Sequence, residues 1–344
     1  MSSPTILDVA ARAGVSKSSV SRVLQGSPLV SEEARAAVLA AIEQLGYRPN
    51  AAARTLARRQ SHSIGVLVSD LHDPFFPMVL DGIDEVAEEH GYTSLIVRGK
   101  RRSQAEEHAL GRLLELQVDG IVAVTERLSR PVIVEAARST PLVTLTQTPW
   151  APRVDTVVSD NRQGARLVID HLVTLGHASI AMIADSREHA GAERIEGYQA
   201  AMTGHRLGDH IRVLNAPPTE RGGYDAARRL LADVGTVTAV FAGNDLTAFG
   251  VLDALAEHGL EIPRDMSVAG YDNTPVAALR MVSLTTVDQF ATEIGAEAMR
   301  SVLARVKRRD RSARHVLVPP RLIPRATTAA PSGAIATPGA DGVR

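Results

Sequence analysis

The chain has 344 residues, enough for two or three domains, and its 44% hydrophobic content excludes a disordered protein. With 0 cysteines it has no disulfide framework or thiolate metal site, and no N-terminal apolar run marks a secretion signal or membrane span, so a cytoplasmic protein with no membrane partner is expected. The net charge of -1 is unevenly spread: residues 1–60 hold eight Lys/Arg against four acids, about +4, which leaves about -5 for the remainder and excludes an evenly neutral surface.

That positive segment opens with two short helices joined by a tight turn. Thr5 caps the first, Asp8 closes a capping box, and Val9, Ala10 and Ala13 form a small apolar face. Gly14 suits the left-handed conformation that ends a helix abruptly. Ser16 caps the second helix, whose Val20, Val23 and Leu24 share one side, leaving Lys17, Ser18, Ser21 and Arg22 on the other. Such a division fits a helix-turn-helix, in which one face packs and the other offers donors to bases and phosphates. The turn alone would equally fit an ordinary helical hairpin. Ser31 then caps a third helix, with Val38, Ile42 and Leu45 in register and Gly46 as its stop.

Tyr47, Pro49 and Asn50 lead into a short, Ala-rich, basic stretch, Ala51 to Arg59. The T-x-x-D-V-A-x-x-A-G-V-S run from Thr5, the V-S-R-V that follows, the Y-x-P-N of Tyr47 to Asn50 and Leu56 in the Ala-rich stretch resemble the lactose-repressor/galactose-repressor (LacI/GalR) family of transcription regulators. The resemblance implies a headpiece over 1–49 and a hinge helix and linker over 50–61. It places Lys17, Ser18 and Arg22 on base edges and Thr5, Ser16, Ser21, Ser31 and Asn50 on phosphates. It carries Ala53 and Leu56 into the minor groove, Leu56 wedging between the central base pairs of a bent operator.

From Ser63 the texture changes to alternating strands and helices. Strands are expected at Ser63–Ser69, Thr93–Arg98, Gly120–Thr125 and Leu142–Thr146. A helix from Phe76 to His90, one opened by a Ser103/Glu106 capping box and running through Leu116, and one around Val132–Arg138 lie between them. A second series places strands near Thr156–Ser159, Ile180–Ala184, Arg212–Leu214, Ala239–Ala242 and Ser267–Gly270. Its helices fall at Gly164–Leu175, Ala192–Met202, Gly223–Ala232 and Thr247–His258. Apolar strands separated by amphipathic helices imply parallel sheets covered on both faces, with ligands outside the carboxyl ends of the strands. The fold class is thus α/β, with an N-terminal all-α headpiece.

The strand order and crossings come from the resemblance. It implies a two-lobed, doubly wound core of periplasmic-binding-protein type over 62–328: lobe 1 at about 62–158 and 290–318, lobe 2 at about 159–288 and 319–328. Crossings are expected near Val158–Asp160, Val287–Phe290 and Pro319–Arg321, with a helix at Ile294–Val306 returning to lobe 1. Residues 329–344 are rich in Ala, Pro, Gly, Ser and Thr, and a disordered tail is expected there. Without leucine after Ile323, that tail has no tetramerising heptad, so a homodimer is expected.

The nucleotide, serine-hydrolase and zinc signatures sought along the chain are absent, and the scattered His171 and His177 read as structural; no metal, cofactor or catalysis is expected. Polar groups follow the strands instead: Asp73 with Phe75 and Phe76, Asp160 and Asn161, Asn244 and Asp245, Tyr271 and Asp272, and Gln289, while Arg194 opens a helix. Any one such group could simply cap a helix. Arg194 in A-E-R-x-x-G-Y, Asn244-Asp245 in N-D-x-x-A-x-G, Asp272 in G-Y-D-N and Gln289 after L-T-T match effector-pocket positions of the family. With Asp73, Phe76 and Asp160 they make the expected ligand set. Pro217-Pro218 replaces a pocket aromatic common in relatives, which favours a sugar over a flat purine. The expected function is a DNA-binding repressor of a carbohydrate operon, released by a sugar-like effector. A corepressed regulator, a transport-type binding protein and a two-carboxylate glycoside hydrolase are the rivals.

Overall fold

In the computed structural model, residues 4–24, 27–47, 60–146, 151–232 and 237–332 are described, and they form two compact units divided after Ser61. In the first unit, α1 (Ile6–Ala13), α2 (Lys17–Leu24) and α3 (Glu32–Leu45) enclose Val9, Ala10, Val20, Val23, Val38 and Ala41. Their boundaries follow local chemistry. Thr5 and Asp8 form the complete capping box at α1, while Gly14 at φ 67° and Gly46 at φ 59° end α1 and α3 in the left-handed region. Arg12 Nε donates to Gln44 Oε1 at 2.9 Å, tying α1 to α3.

The second unit holds two parallel sheets. The first contains β1 (Ser63–Val68), β2 (Thr93–Arg98), β3 (Gly120–Val124), β4 (Leu142–Thr144), β5 (Val154–Ser159) and β11 (His315–Val318), in the order β11-β5-β4-β3-β1-β2. The second contains β6 (Ile180–Ala184), β7 (Arg212–Asn215), β8 (Ala239–Ala242) and β9 (Ser267–Ala269), in the order β7-β6-β8-β9. In both, the order reverses beside the first strand, which opens a crevice at the carboxyl ends. The chain changes sheets after Ser159, and again through β10 (Thr286–Asp288) and β12 (Arg321–Ile323), which pair antiparallel with Val287 opposite Leu322.

Helices cover both faces of each sheet. On the first, α4 (Phe75–Glu89) and α11 (Ala291–Lys307) bury Val79, Ile83, Met299 and Val302 against Val66 and Val122. On its other face, α5 (Ser103–Glu115) and α6 (Arg130–Ser139) bury Leu110, Leu113 and Ile133 against Leu67 and Ile121. The second sheet is covered by α7 (Asn161–Thr174) and α8 (His189–Gly204) on one side, and by α9 (Glu220–Ala232) and α10 (Asp245–Glu257) on the other. Strands buried on both faces show the near-continuous apolar runs seen in the sequence.

The return of α11 to the first sheet depends on two glycines. A Cβ on Gly82 would lie 1.9 Å from the Thr292 carbonyl oxygen, and one on Gly295 would lie 2.0 Å from that of Val79. Gly295→Val should therefore force the helices apart and destabilise the core by about 1–3 kcal/mol, the usual cost of overpacking. Denaturant unfolding of the full chain tests this, and an unchanged midpoint would refute it.

Two local expectations fail. Ser103 does not cap α5: Arg102 occupies the N-cap without a side-chain bond, and Glu106 is fully buried, accepting from Ser69 Oγ at 2.6 Å and the Arg127 N–H at 3.1 Å. The expected tail also starts too early, since Ala329 exchanges two hydrogen bonds of 3.1 Å with Ser267 Oγ. His177 and His171 fasten the same region, Nε2 of each lying 2.8 Å from Ala329 O and 2.9 Å from Thr328 Oγ1 respectively. Residues 333–344 lie outside the described residues.

Candidate functional site

In the first unit, Val20 and Val23 commit one side of α2 to the core, so Lys17, Ser18 and Arg22 project exposed from the opposite side, with Ser21 half-buried. No residue of α2 is acidic, so this face offers positive charge and donors to a polyanion. Ser16 is exposed and accepts from the Ser19 N–H at 3.1 Å. Thr5 and Ser31, also exposed, accept from the Asp8 and Ala34 N–H groups at 3.4 and 3.3 Å. These hydroxyls hold the helix starts whose first-turn amides suit phosphate oxygens. Asn50, Ala53 and Leu56 lie outside the described residues.

The second unit has a cavity between the carboxyl ends of its two sheets, about 730 Å³ including the solvent at its mouth. Asp73 and Phe76 line it from the first sheet's side, and Arg194, Asn244 and Asp272 from the second's, with Gln289 after β10. Its convergent polar groups suit the recognition of a small ligand. Phe75 and Phe76 supply an apolar wall, their rings 5.5 Å apart edge to face.

Arg194 is fixed from several directions. Its Nε donates to Asn161 Oδ1 at 2.9 Å, its Nη1 donates to the Gly243 carbonyl at 2.5 Å, and its guanidinium lies 3.7 Å from the Tyr271 ring centroid. Asp272 sits at φ 116°, accepts from Gln289 Nε2 at 2.6 Å and lies 3.9 Å from Arg194. Burial pushes its carboxyl well above the usual range, against the pull of Arg194. A positive φ on a non-glycine residue stores strain of the kind that aims groups into sites.

The expected residues separate on inspection. Asp73, Phe76, Arg194, Asn244, Asp272 and Gln289 come together on the wall, whereas Asp160 and Asp245 do not. Asp160 caps α7, accepting from the Gln163 N–H at 2.9 Å. Asp245 is fully buried, accepting from Thr274 N–H at 2.8 Å and Thr286 Oγ1 at 2.6 Å, and burial raises its carboxyl to about 6. Asn244 has both duties, since it lines the cavity and caps α10 by accepting from Thr247 N–H at 2.9 Å.

Sequence reasoning missed the charged groups that cross the cleft. Lys100 and Arg101 both take positive φ, 56° and 50°, in a turn after β2. Arg101 thereby reaches Asp73 at 2.7 Å and Glu188, at the start of α8, at 2.8 Å. Arg127, after β3, reaches Asp185 at 3.3 Å and Glu188 at 3.6 Å. Glu126 lines the cavity beside them. Their positions beyond strand ends were the available signal, but the run from Arg98 to Arg102 reads as solvated charge.

The chain matches two family models: "Bacterial regulatory proteins, lacI family" over residues 5–50, and "Periplasmic binding proteins and sugar binding domain of LacI family" over residues 61–326. It is 34% identical over 307 residues to the ribose operon repressor of Escherichia coli K12, covering 88% of this chain and 93% of that protein. Among solved structures it is similar to the lac repressor dimer bound to operator and the anti-inducer ONPF, with TM-score 0.87 and 28% identity over 96% of this chain and 100% of that one. An Enterococcus faecium regulator with bound ribose has TM-score 0.71 and 29% identity, covering 78% of this chain and 99% of that one. No helix among the described residues is long and apolar enough to cross a membrane.

Proposed function

Because the chain belongs to the lacI family of bacterial regulatory proteins, we propose that it is a repressor that binds a near-palindromic operator as a homodimer and is released by a sugar-like effector. One observation carries the effector reading: a single cavity is walled by Asp73 and Phe76 on one side and by Arg194, Asn244 and Asp272 on the other. A molecule filling it touches both lobes and favours whichever arrangement it binds better. Carboxylates accept from vicinal hydroxyls, an arginine donates to ring oxygens, and a phenyl ring covers an apolar sugar face. The ribose named for the E. coli and E. faecium relatives has this chemistry. The protein's role is to bind its sugar, not to hydrolyse it.

Lys17, Ser18 and Arg22 read base edges in the major groove, while Thr5, Ser16, Ser21, Ser31 and Asn50 contact phosphates; Ala53 and Leu56 enter the minor groove. Losing the Arg22 side chain should cost about 1–3 kcal/mol on operator and relax preference at one position. Equal losses on operator and random DNA would show Arg22 to be a phosphate contact. Since the headpiece precedes the lobes in sequence, closure acts on DNA by resetting the spacing of the two segments that join them. Operator binding with and without a panel of pentoses and hexoses tests the proposal: release by one of them supports it. A protein that binds DNA only with its ligand is corepressed instead.

A further inference from the structure

Five carboxylates line the cavity: Asp73, Glu126, Asp185, Glu188 and Asp272. Four of them have a guanidinium within 4 Å. Arg101 serves Asp73 and Glu188 at 2.7 and 2.8 Å, Arg127 and Arg187 serve Asp185 at 3.3 and 2.9 Å, and Arg194 lies 3.9 Å from Asp272. Among the described residues, Glu126 has no such partner. Its one hydrogen bond is accepted from the Ala190 N–H at 3.3 Å, at the start of α8. Facing it are Glu188 and Arg194 from α8 and Arg101 from the turn after β2. The guanidiniums are engaged by the other carboxylates, so an ammonium on the ligand is the group that would give an ionised Glu126 its counter-charge.

We propose that the ligand is a hydroxylated molecule carrying one ammonium group, of the amino-sugar or iminosugar class, and that Glu126 receives the ammonium. This rests on the reading of the cavity as a sugar-type effector site. Asp272, Asn244 and the Phe76 ring then hold the hydroxylated ring, while Glu126 selects for charge. Burial and the neighbouring Glu188 push the Glu126 carboxyl up to about 8, so at neutral pH it holds a proton until a cation lies beside it. An ammonium favours the carboxylate, and that proton leaves to solvent as the ligand binds. A neutral hexose requires no such release.

The test is calorimetry on the full chain at pH 7 in two buffers of different ionisation enthalpy. The probes are the 2-amino-2-deoxy hexoses and ring-nitrogen iminosugars, each beside the neutral hexose of the same configuration. At least one amine should bind on the order of tenfold tighter than its neutral counterpart, the ratio that one pKa unit represents, and should release a proton. Glu126→Gln should abolish both the preference and the proton release. If that variant does not fold, amines that bind the wild type no tighter than their neutral counterparts still overturn the inference. Amines that bind no tighter than the neutral hexoses, or a preference that survives Glu126→Gln, overturn the inference. In the first case, neutral hexoses that still bind leave the sugar reading standing; if no amine, hexose or pentose binds, both fall.

Discussion

Asp155→Ala should destabilise the core by about 3–5 kcal/mol, the usual cost of breaking a buried ion pair by removing one partner. Asp155 is fully buried near the start of β5, and Arg305 on α11 is only 2% exposed. Arg305 donates to both carboxylate oxygens, Nη2 to Oδ1 at 2.5 Å and Nε to Oδ2 at 3.1 Å. Arg311 also donates to Oδ2, and the Arg314 N–H donates to Oδ1 at 2.8 Å. One side chain thus joins β5, the end of α11 and the approach to β11. Alanine would leave two guanidiniums without their counter-charge and a backbone amide without its acceptor. Asp155→Asn should fall between, because one acceptor oxygen remains. Urea unfolding of the three proteins is the measurement, and a wild-type midpoint for the alanine variant would refute the assignment.

Asp272→Ala should leave operator affinity unchanged and abolish ligand-driven release, a coupling of about 1–3 kcal/mol, or roughly 5–150-fold. The carboxyl lies on the cavity wall between Gln289 and Arg194, far in sequence from the exposed face of α2. Because Asp272 sits at φ 116°, alanine also adds backbone strain. Asp272→Asn tolerates that region better and should show weakened release with intact folding. Operator titrations of all three proteins, with and without an effective sugar, separate the outcomes. Full release of both variants by ligand would remove Asp272 from the site.

What the sequence determined by itself is what neighbouring residues decide. The Thr5–Asp8 capping box, the Gly14 and Gly46 stops and the burial of Val20 and Val23 arise within a few residues and read directly. The apolar runs of β1, β3, β6 and β8 announce strands buried on both faces in the same way. The crossover strands did not read so. β10 and β12 pair antiparallel from segments some thirty residues apart, and nothing local specifies that partnership. Ser103 and Glu106 show the same limit, because the spacing fits a capping box but Ser69 and Arg127 capture the carboxylate. An acid after a strand is ambiguous for this reason. Asp160 caps a helix, Asp245 locks Thr274 to Thr286, and Asp272 lines the cavity, although all three follow strands. Only the tertiary structure chose among these roles, since the choice depends on which distant donors and charges the fold brings within hydrogen-bonding reach. The same holds for Arg101 and Glu126: one gains two carboxylates across the cleft and the other has no guanidinium within 4 Å among the described residues, a contrast of long-range geometry.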